Sequence, residues 1–260
     1  MSVNTAIFLS VRDKSTRFPQ KVRKVIQKQS VTEHLIDRLR LAKEPNTIIM
    51  TTSTHANDDW LVSIAEKKGV TAFRGDEVDK LKRYLDAATE YGIEFCVIVD
   101  GDDIFADGSF IDEIIRRYKS HGDDYIICDE LPLGVTGFGI KVAALDYVVK
   151  TKKEHDTEVW GAYFTRNKRF KVHNIQVPLH FRRPEYRLTL DYPDDLRLFQ
   201  IIYHRLSPEG GVIPLEQIVK FLDAHPEIAS INKEAQQQYE RNIAQPKKLV
   251  EIEMENWSNG

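Results

Sequence analysis

Arg12, Lys14, Arg17 and Lys21 put four cations into ten residues, interleaved with the hydroxyls of Ser15 and Thr16 and stiffened by Pro19. They follow residues 6–9, a short apolar run that reads as a buried strand. A buried strand ending in a cationic, hydroxyl-rich loop sets fixed positive charge and small donors at one rim of a sheet, which suits a polyphosphate. A solvated surface loop would carry the same residues, so charge alone leaves both readings open.

The acids fall elsewhere. The most apolar stretch, residues 95–99, runs into Asp100-Gly101-Asp102-Asp103. Three carboxylates around a glycine make a hard, oxygen-rich corner suited to Mg2+, which takes few protein carboxylates and keeps waters and substrate oxygens. A turn followed by a helix cap has the same composition. Asp191 ends another strand-like run, 186–190, and is followed by Pro193, Asp194 and Asp195, a helix start with acids in its first turn. Taken alone, Asp191 reads as a helix cap.

Around these residues strand and helix patterns alternate. Residues 31–42, 57–68 and 78–91 read as helices, the last with Leu81, Tyr84, Leu85 and Ala88 on one face, and 47–50 and 70–73 read as strands. The first of these strands ends in the hydroxyls of Thr51, Thr52, Ser53 and Thr54. Three strand-helix units by residue 91 argue for parallel pairing, because each crossover helix must cover a sheet face. Ligands in such sheets sit at the carboxyl ends of the strands. Further on, a helix to about residue 120, a strand over 125–128, a helix over 141–150, a strand over 170–177 and a helix from 192 to 205 continue the alternation.

The glycine-rich stretch 131–139, LPLGVTGFG, lacks a phosphate-cradling fingerprint and predicts a flexible wall or lid. Trp160, Tyr163 and Phe164 predict core or interface packing ahead of a substrate platform. After the break at Pro208-Glu209-Gly210-Gly211, residues 215–223 and 234–242 read as helices, while Val250, Ile252 and Met254 alternate with acids as an edge strand would. The organisation expected is one α/β domain over 1–206 and a helical C-terminal extension over 207–260, its end frayed.

At 260 residues and 42% hydrophobic content, the chain can build a substantial core. A net charge of −3 shows no global basic excess, which argues against a nucleic-acid-coating protein. Cys96 and Cys128 sit in strand-like runs rather than at metal-ligand spacing, so neither a disulfide framework nor a zinc site is expected. No apolar run approaches the roughly 20 residues that span a bilayer, and a cytoplasmic location away from membranes is the expectation.

The order basic, two variable residues, Ser-Thr-Arg, apolar, Pro, any, Lys in residues 12–21 resembles the N-terminal signature of cytidylyltransferases that activate sugars. The spore-coat polysaccharide, deoxy-octulosonate and acylneuraminate types are among them. The chain departs from that signature at Gln20, where the family usually has Gly, and at Ser10-Val11. The segments at 51–61, 73–84, 99–103 and 187–196 are similar to further family motifs in the same order. The resemblance implies a Rossmann-like, three-layer nucleotide-diphospho-sugar transferase fold with a mostly parallel mixed sheet. It implies that Arg12, Ser15, Arg17 and Lys21 hold the triphosphate of CTP, and that Asp102 and Asp191 bind Mg2+. Thr52, Ser53, Arg74 and Asp100 would lie along the nucleotide pocket, with Arg12, Lys21 and Asp102 the catalytic set. The implied partners are CTP and a small acidic or phosphorylated acceptor, with a homodimer left open. A glycosyltransferase of similar fold would also use Asp100-Gly101-Asp102 for a metal but gives no reason for the loop at 10–21. A non-catalytic nucleotide-binding protein is the third reading.

Overall fold

The computed structural model describes residues 3–244. Its strands are β1 (Thr5–Ser10), β2 (Val25–Ile26), β3 (Gln29–Ser30), β4 (Thr47–Ser53), β5 (Thr71–Gly75), β6 (Phe95–Asp100), β7 (Tyr125–Ile127), β8 (Phe138–Lys141) and β9 (Val172–Asn174). Its helices are α1 (Val31–Leu39), α2 (Asp59–Lys67), α3 (Lys80–Glu90), α4 (Gly108–His121), α5 (Val142–Thr151), α6 (Ala162–Thr165), α7 (Pro193–Leu206), α8 (Leu215–Ala224), α9 (Pro226–Ala229) and α10 (Lys233–Ala244). Seven strands form one sheet in the order β5-β4-β1-β6-β8-β7-β9, and β2 with β3 makes a separate hairpin.

Every residue of β1 is buried, which places it in the middle of the sheet. Alternate residues of a strand point to opposite faces. Ile7 and Leu9 accordingly join the core beneath α1, α2, α4, α7 and α8, while Ala6 and Phe8 join the core beneath α3 and α5. Both faces are covered, as a parallel sheet requires. Strands β1, β4, β5 and β6 pair in parallel, and β8 runs antiparallel to both β6 and β7. The expected three-layer, mostly parallel mixed sheet is the fold observed. Ile213, Leu215, Ile218, Val219 and Leu222 belong to the same core as Ile7 and Leu9, so α8 packs directly on the sheet domain.

Two expectations are corrected. The 131–139 stretch is no lid: Val135 is fully buried, and β8 threads between β6 and β7 with Gly139 opposite Val97. A Cβ at Gly139 would lie 2.6 Å from the Phe95 ring, so that glycine serves close packing rather than mobility. Residues 186–190 form no regular strand; a single parallel bridge joins Leu133 to Arg187. The alternation at 250–254 lies outside the described residues.

Local chemistry explains the shorter elements. Ser30 and Glu33 form a reciprocal capping box at the start of α1, and Lys67 from α2 reaches the Glu33 carboxylate at 2.8 Å. Cys96 and Cys128 are buried free thiols. No helix among the described residues is long and apolar enough to cross a membrane.

Candidate active site

Strands β1 and β6 lie side by side with Ser10 opposite Asp100, so the loops that leave them cross the same sheet edge. The Gly101 N–H donates to the Ser10 carbonyl at 2.8 Å, and a side chain at 101 would strike Val11 Cβ at 2.6 Å. Glycine is what lets the acidic loop lie against the cationic one.

The two loops meet at Lys21. Its ammonium donates to the Asp102 carboxylate and, at 2.8 Å, to Asp191 Oδ1. Arg17 Nη2 reaches the same Asp191 oxygen at 2.7 Å, and Arg187 Nη2 takes the other at 2.8 Å. The Leu190 N–H donates to the Asp102 carbonyl at 3.0 Å, which fastens the 190 segment beside the acidic loop. Four residues that the resemblance grouped, Arg17, Lys21, Asp102 and Asp191, are therefore one cluster.

The helix-cap reading of Asp191 is overturned, because Asp195 fills that role. Its carboxylate accepts from the N–H of Asp191 at 2.8 Å and of Tyr192 at 2.9 Å, and also from Arg187 Nε and Asn232 Nδ2. Relieved of capping, the Asp191 side chain faces the cations. Helix α10 closes the cluster from outside, with the Tyr239 ring 5.0 Å from the Arg187 guanidinium and 5.9 Å from that of Arg17.

Burial works against the charged form of Lys21, but the attraction of Asp102 and Asp191 outweighs it and the ammonium is held more firmly protonated than usual. Burial likewise pushes the Asp191 carboxyl up, and Lys21, Arg17 and Arg187 pull it below its ordinary range. Asp103 behaves differently. Burial first, then repulsion from Asp102 and Asp100, raises its carboxyl well above the usual range, and it faces the Thr189 hydroxyl.

The remaining expected residues lie apart from the Lys21 cluster. Arg12 donates to the Glu77 carbonyl and, at 2.6 Å, to Glu158. Ser15 Oγ accepts from the Phe18 N–H at 3.4 Å, a contact internal to the loop. The Thr52 and Ser53 hydroxyls are buried and donate to Asp58, whose other oxygen accepts the Asp13 N–H at 2.8 Å. Those hydroxyls brace the cationic loop from beneath. Arg74 spans the Ser53 and His55 carbonyls and the Asp59 carboxylate, tying down the loop after β4. Asp100 is one-third exposed, with Lys80 Nζ 3.9 Å away.

Sequence reasoning missed Arg187, Asp195, Asp58, Lys80 and Glu158. Lys80 left a signal: it stands four residues before Tyr84, on the face of α3 that the apolar stripe defines. Arg187 precedes Asp191 by four and Asp195 by eight, a spacing that means nothing until the irregular 187–192 segment has a shape.

No group of three or more His, Cys, Asp or Glu side chains converges as a cation cage among the described residues. Two carboxylates do share one internal cation, a hard-oxygen donor pair that suits Mg2+ or Mn2+ once substrate oxygens and water complete the shell.

The sequence profile of the family described as Cytidylyltransferase matches residues 6–254. The chain belongs to the cytidylyltransferase family. This cytidylyltransferase is 25% identical over 241 residues to the spore coat polysaccharide biosynthesis protein SpsF of Bacillus subtilis (strain 168), with 88% of this chain and 98% of that protein covered. It is 25% identical over 168 residues to the 8-amino-3,8-dideoxy-manno-octulosonate cytidylyltransferase of Shewanella amazonensis, covering 63% of this chain and 65% of that protein. Its fold matches a cytidylyltransferase structure from Leptospira borgpetersenii with a TM-score of 0.78, 23% identity, 88% of this chain and 97% of that chain covered. Family membership makes it a nucleotidyltransferase and sets aside the glycosyltransferase alternative.

Proposed function

We propose that this cytidylyltransferase transfers CMP from CTP to an acidic sugar, sugar phosphate or related phosphate or phosphonate acceptor, in the synthesis of cell-surface polysaccharide precursors. The observation that carries the reading is the convergence of Asp102 and Asp191 on Lys21 beside Arg17, at the carboxyl edge of β1 and β6. The likeness to a spore coat polysaccharide protein and to an octulosonate cytidylyltransferase supports the acceptor class.

In this reading an acceptor oxygen attacks the α-phosphorus, its bond to that phosphorus forms as the bond to the bridging oxygen breaks, and pyrophosphate leaves. Arg12, Arg17 and Lys21 neutralise the triphosphate, and Ser15 offers a hydroxyl to it. Asp102 and Asp191 would hold a divalent cation, which supplies further charge neutralisation at the phosphate oxygens. Little covalent work falls to the protein, so its contribution is positioning and electrostatics. Where the acceptor is a hydroxyl, its proton passes to a base, and Asp100 is better exposed for that than the buried Asp103. Thr52, Ser53 and Arg74 act through the loops they brace.

The test is pyrophosphate release from each of the four ribonucleoside triphosphates, with a panel of acidic sugars, sugar phosphates and phosphonates. CTP should be used ahead of UTP, because a site that accepts from the cytosine amino group leaves an acceptor unpaired against the uracil carbonyl. Equal turnover of both would remove the nucleotide assignment, and no turnover of any would remove the reaction.

A further inference from the structure

A second charged cluster adjoins Asp100, and it is built around one carboxylate. Glu158 Oε1 lies 2.9 Å from Lys80 Nζ, and Glu158 Oε2 lies 2.6 Å from Arg12 Nη2. The Lys80 side chain is only 11% exposed, whereas that of Glu158 is 53% exposed. Beside them Arg83 is wholly buried; its Nη1 donates to the Asp76 carbonyl at 2.8 Å, and among the described residues its Nε and Nη2 have no hydrogen-bond partner. A buried guanidinium bonded on one side only is costly unless negative charge lies near.

Glu158 belongs to no helix or strand. It follows Thr157, whose hydroxyl donates to Asp79 Oδ1 at 2.9 Å and accepts the Leu81 N–H at 3.1 Å. The next residue, Val159, is 62% exposed. Thr157 is thus pinned to the start of α3, while 158 and 159 project outward from the pin.

We propose that Arg12 and Lys80 form the subsite for the terminal phosphates of the triphosphate, and that Glu158 is a resident stand-in anion which leaves that subsite when the nucleotide binds. The proposal rests on the nucleotidyl-transfer reading above and adds Lys80 and Glu158 to it. A carboxylate bridging two cations offers two oxygens and one negative charge; a phosphate offers three oxygens and more charge, so it displaces the carboxylate. Until it does, Glu158 lowers the competent fraction of the protein. If the latch is closed about nine-tenths of the time, apparent affinity falls about tenfold.

Inorganic tripolyphosphate is the probe, titrated by calorimetry into the full chain and into Glu158→Gln. We expect Glu158→Gln to bind it about tenfold more tightly, and the gain to vanish in the Glu158→Gln/Lys80→Met double variant. Should Lys80→Met fail to fold, Arg12→Gln provides the second background. Equal or weaker binding by Glu158→Gln overturns the latch, since a merely structural tie would lower the melting temperature without tightening an anion. A gain seen with an acidic sugar and not with tripolyphosphate also overturns it, by giving the subsite to the acceptor. Nucleotide turnover in the unmodified chain is measured alongside. A tighter Glu158→Gln with no pyrophosphate released from any triphosphate would sink the transfer reaction and keep the anion subsite.

Discussion

Asp102 and Asp191 stand 89 positions apart in the chain (191 minus 102) and are bonded through one ammonium, that of Lys21. Two carboxylates brought together this way repel unless a cation lies between them. That requirement makes the pair a candidate metal site and sets its first prediction. Asp102→Asn and Asp191→Asn should each lower divalent-metal-dependent turnover by about 100-fold or more while the chain stays folded. Folding should survive at 191 because Arg187 keeps Asp195 as a partner at 3.0 Å. Turnover assays across a metal titration decide it, and full activity in either variant removes that residue from the site.

Lys21 is expected to act twice, as the internal counter-ion of the acids and as a triphosphate contact. Lys21→Ala should therefore lower kcat rather than only raise KM for CTP, because charge on the leaving pyrophosphate grows toward the transition state. The same variant should bind Mn2+ more tightly without nucleotide, an effect readable by electron paramagnetic resonance. Unchanged kinetics together with unchanged Mn2+ affinity would leave Lys21 a structural tie.

Gln20 sits at φ 54 and ψ 32, the left-handed region, just before the turn that carries Lys21. An L-residue there costs roughly 1–2 kcal/mol, while glycine loses about 0.4–1 kcal/mol through the freedom of its unfolded chain. Gln20→Gly should stabilise the protein by about 0.5–1 kcal/mol in a denaturant melt and retain CTP turnover. A loss of stability would show that the Gln20 side chain holds the turn by contacts of its own.

Glu33 gives a pH prediction remote from the site. Burial raises its carboxyl, yet the bonds from Lys67 and Ser30 more than reverse this and lower its pKa from 4.5 to about 2. A depressed carboxylate contributes stability above its unfolded pKa and loses it as pH falls toward the folded one. The contribution should be complete at neutral pH and disappear between about pH 4.5 and 2. Glu33→Gln should cost about 1 kcal/mol at pH 7, since Lys67 is exposed and screened, and almost nothing near pH 2. A cost that does not change with pH would mean the capping bonds act without the charge.

The fold was legible because β1, β4 and β6 are apolar runs between amphipathic helices, and burial on both sheet faces leaves that pattern little freedom. β8 was not, because Gly139 and the glycines before it look like those of a loop until the neighbouring Phe95 and Ile114 show why no side chain fits at 139. Of the site, Lys21 and Asp102, charged residues in the loops that follow β1 and β6, could be picked out by type. Thr52 and Ser53 could not be assigned by type, since a strand-end hydroxyl has the same composition whether it faces a ligand or, as here, an internal aspartate. Asp191 could not be told from Asp195 as the cap for a similar reason: acids at both positions suit a helix start, and only the bend at 187–192 decides which one turns back.

The ammonium between Asp102 and Asp191 has a consequence for the order of events. The acids already have their counter-ion, so a divalent metal held by Asp102 and Asp191 would not simply fill a gap; it would have to exchange with a lysine tethered to the same chain. Such an exchange would be weak until something drew the lysine elsewhere, and a triphosphate is an anion that could do so. The metal should then arrive with the nucleotide or after it, and product release should return the lysine to its acids, resetting the site without help from solution ions.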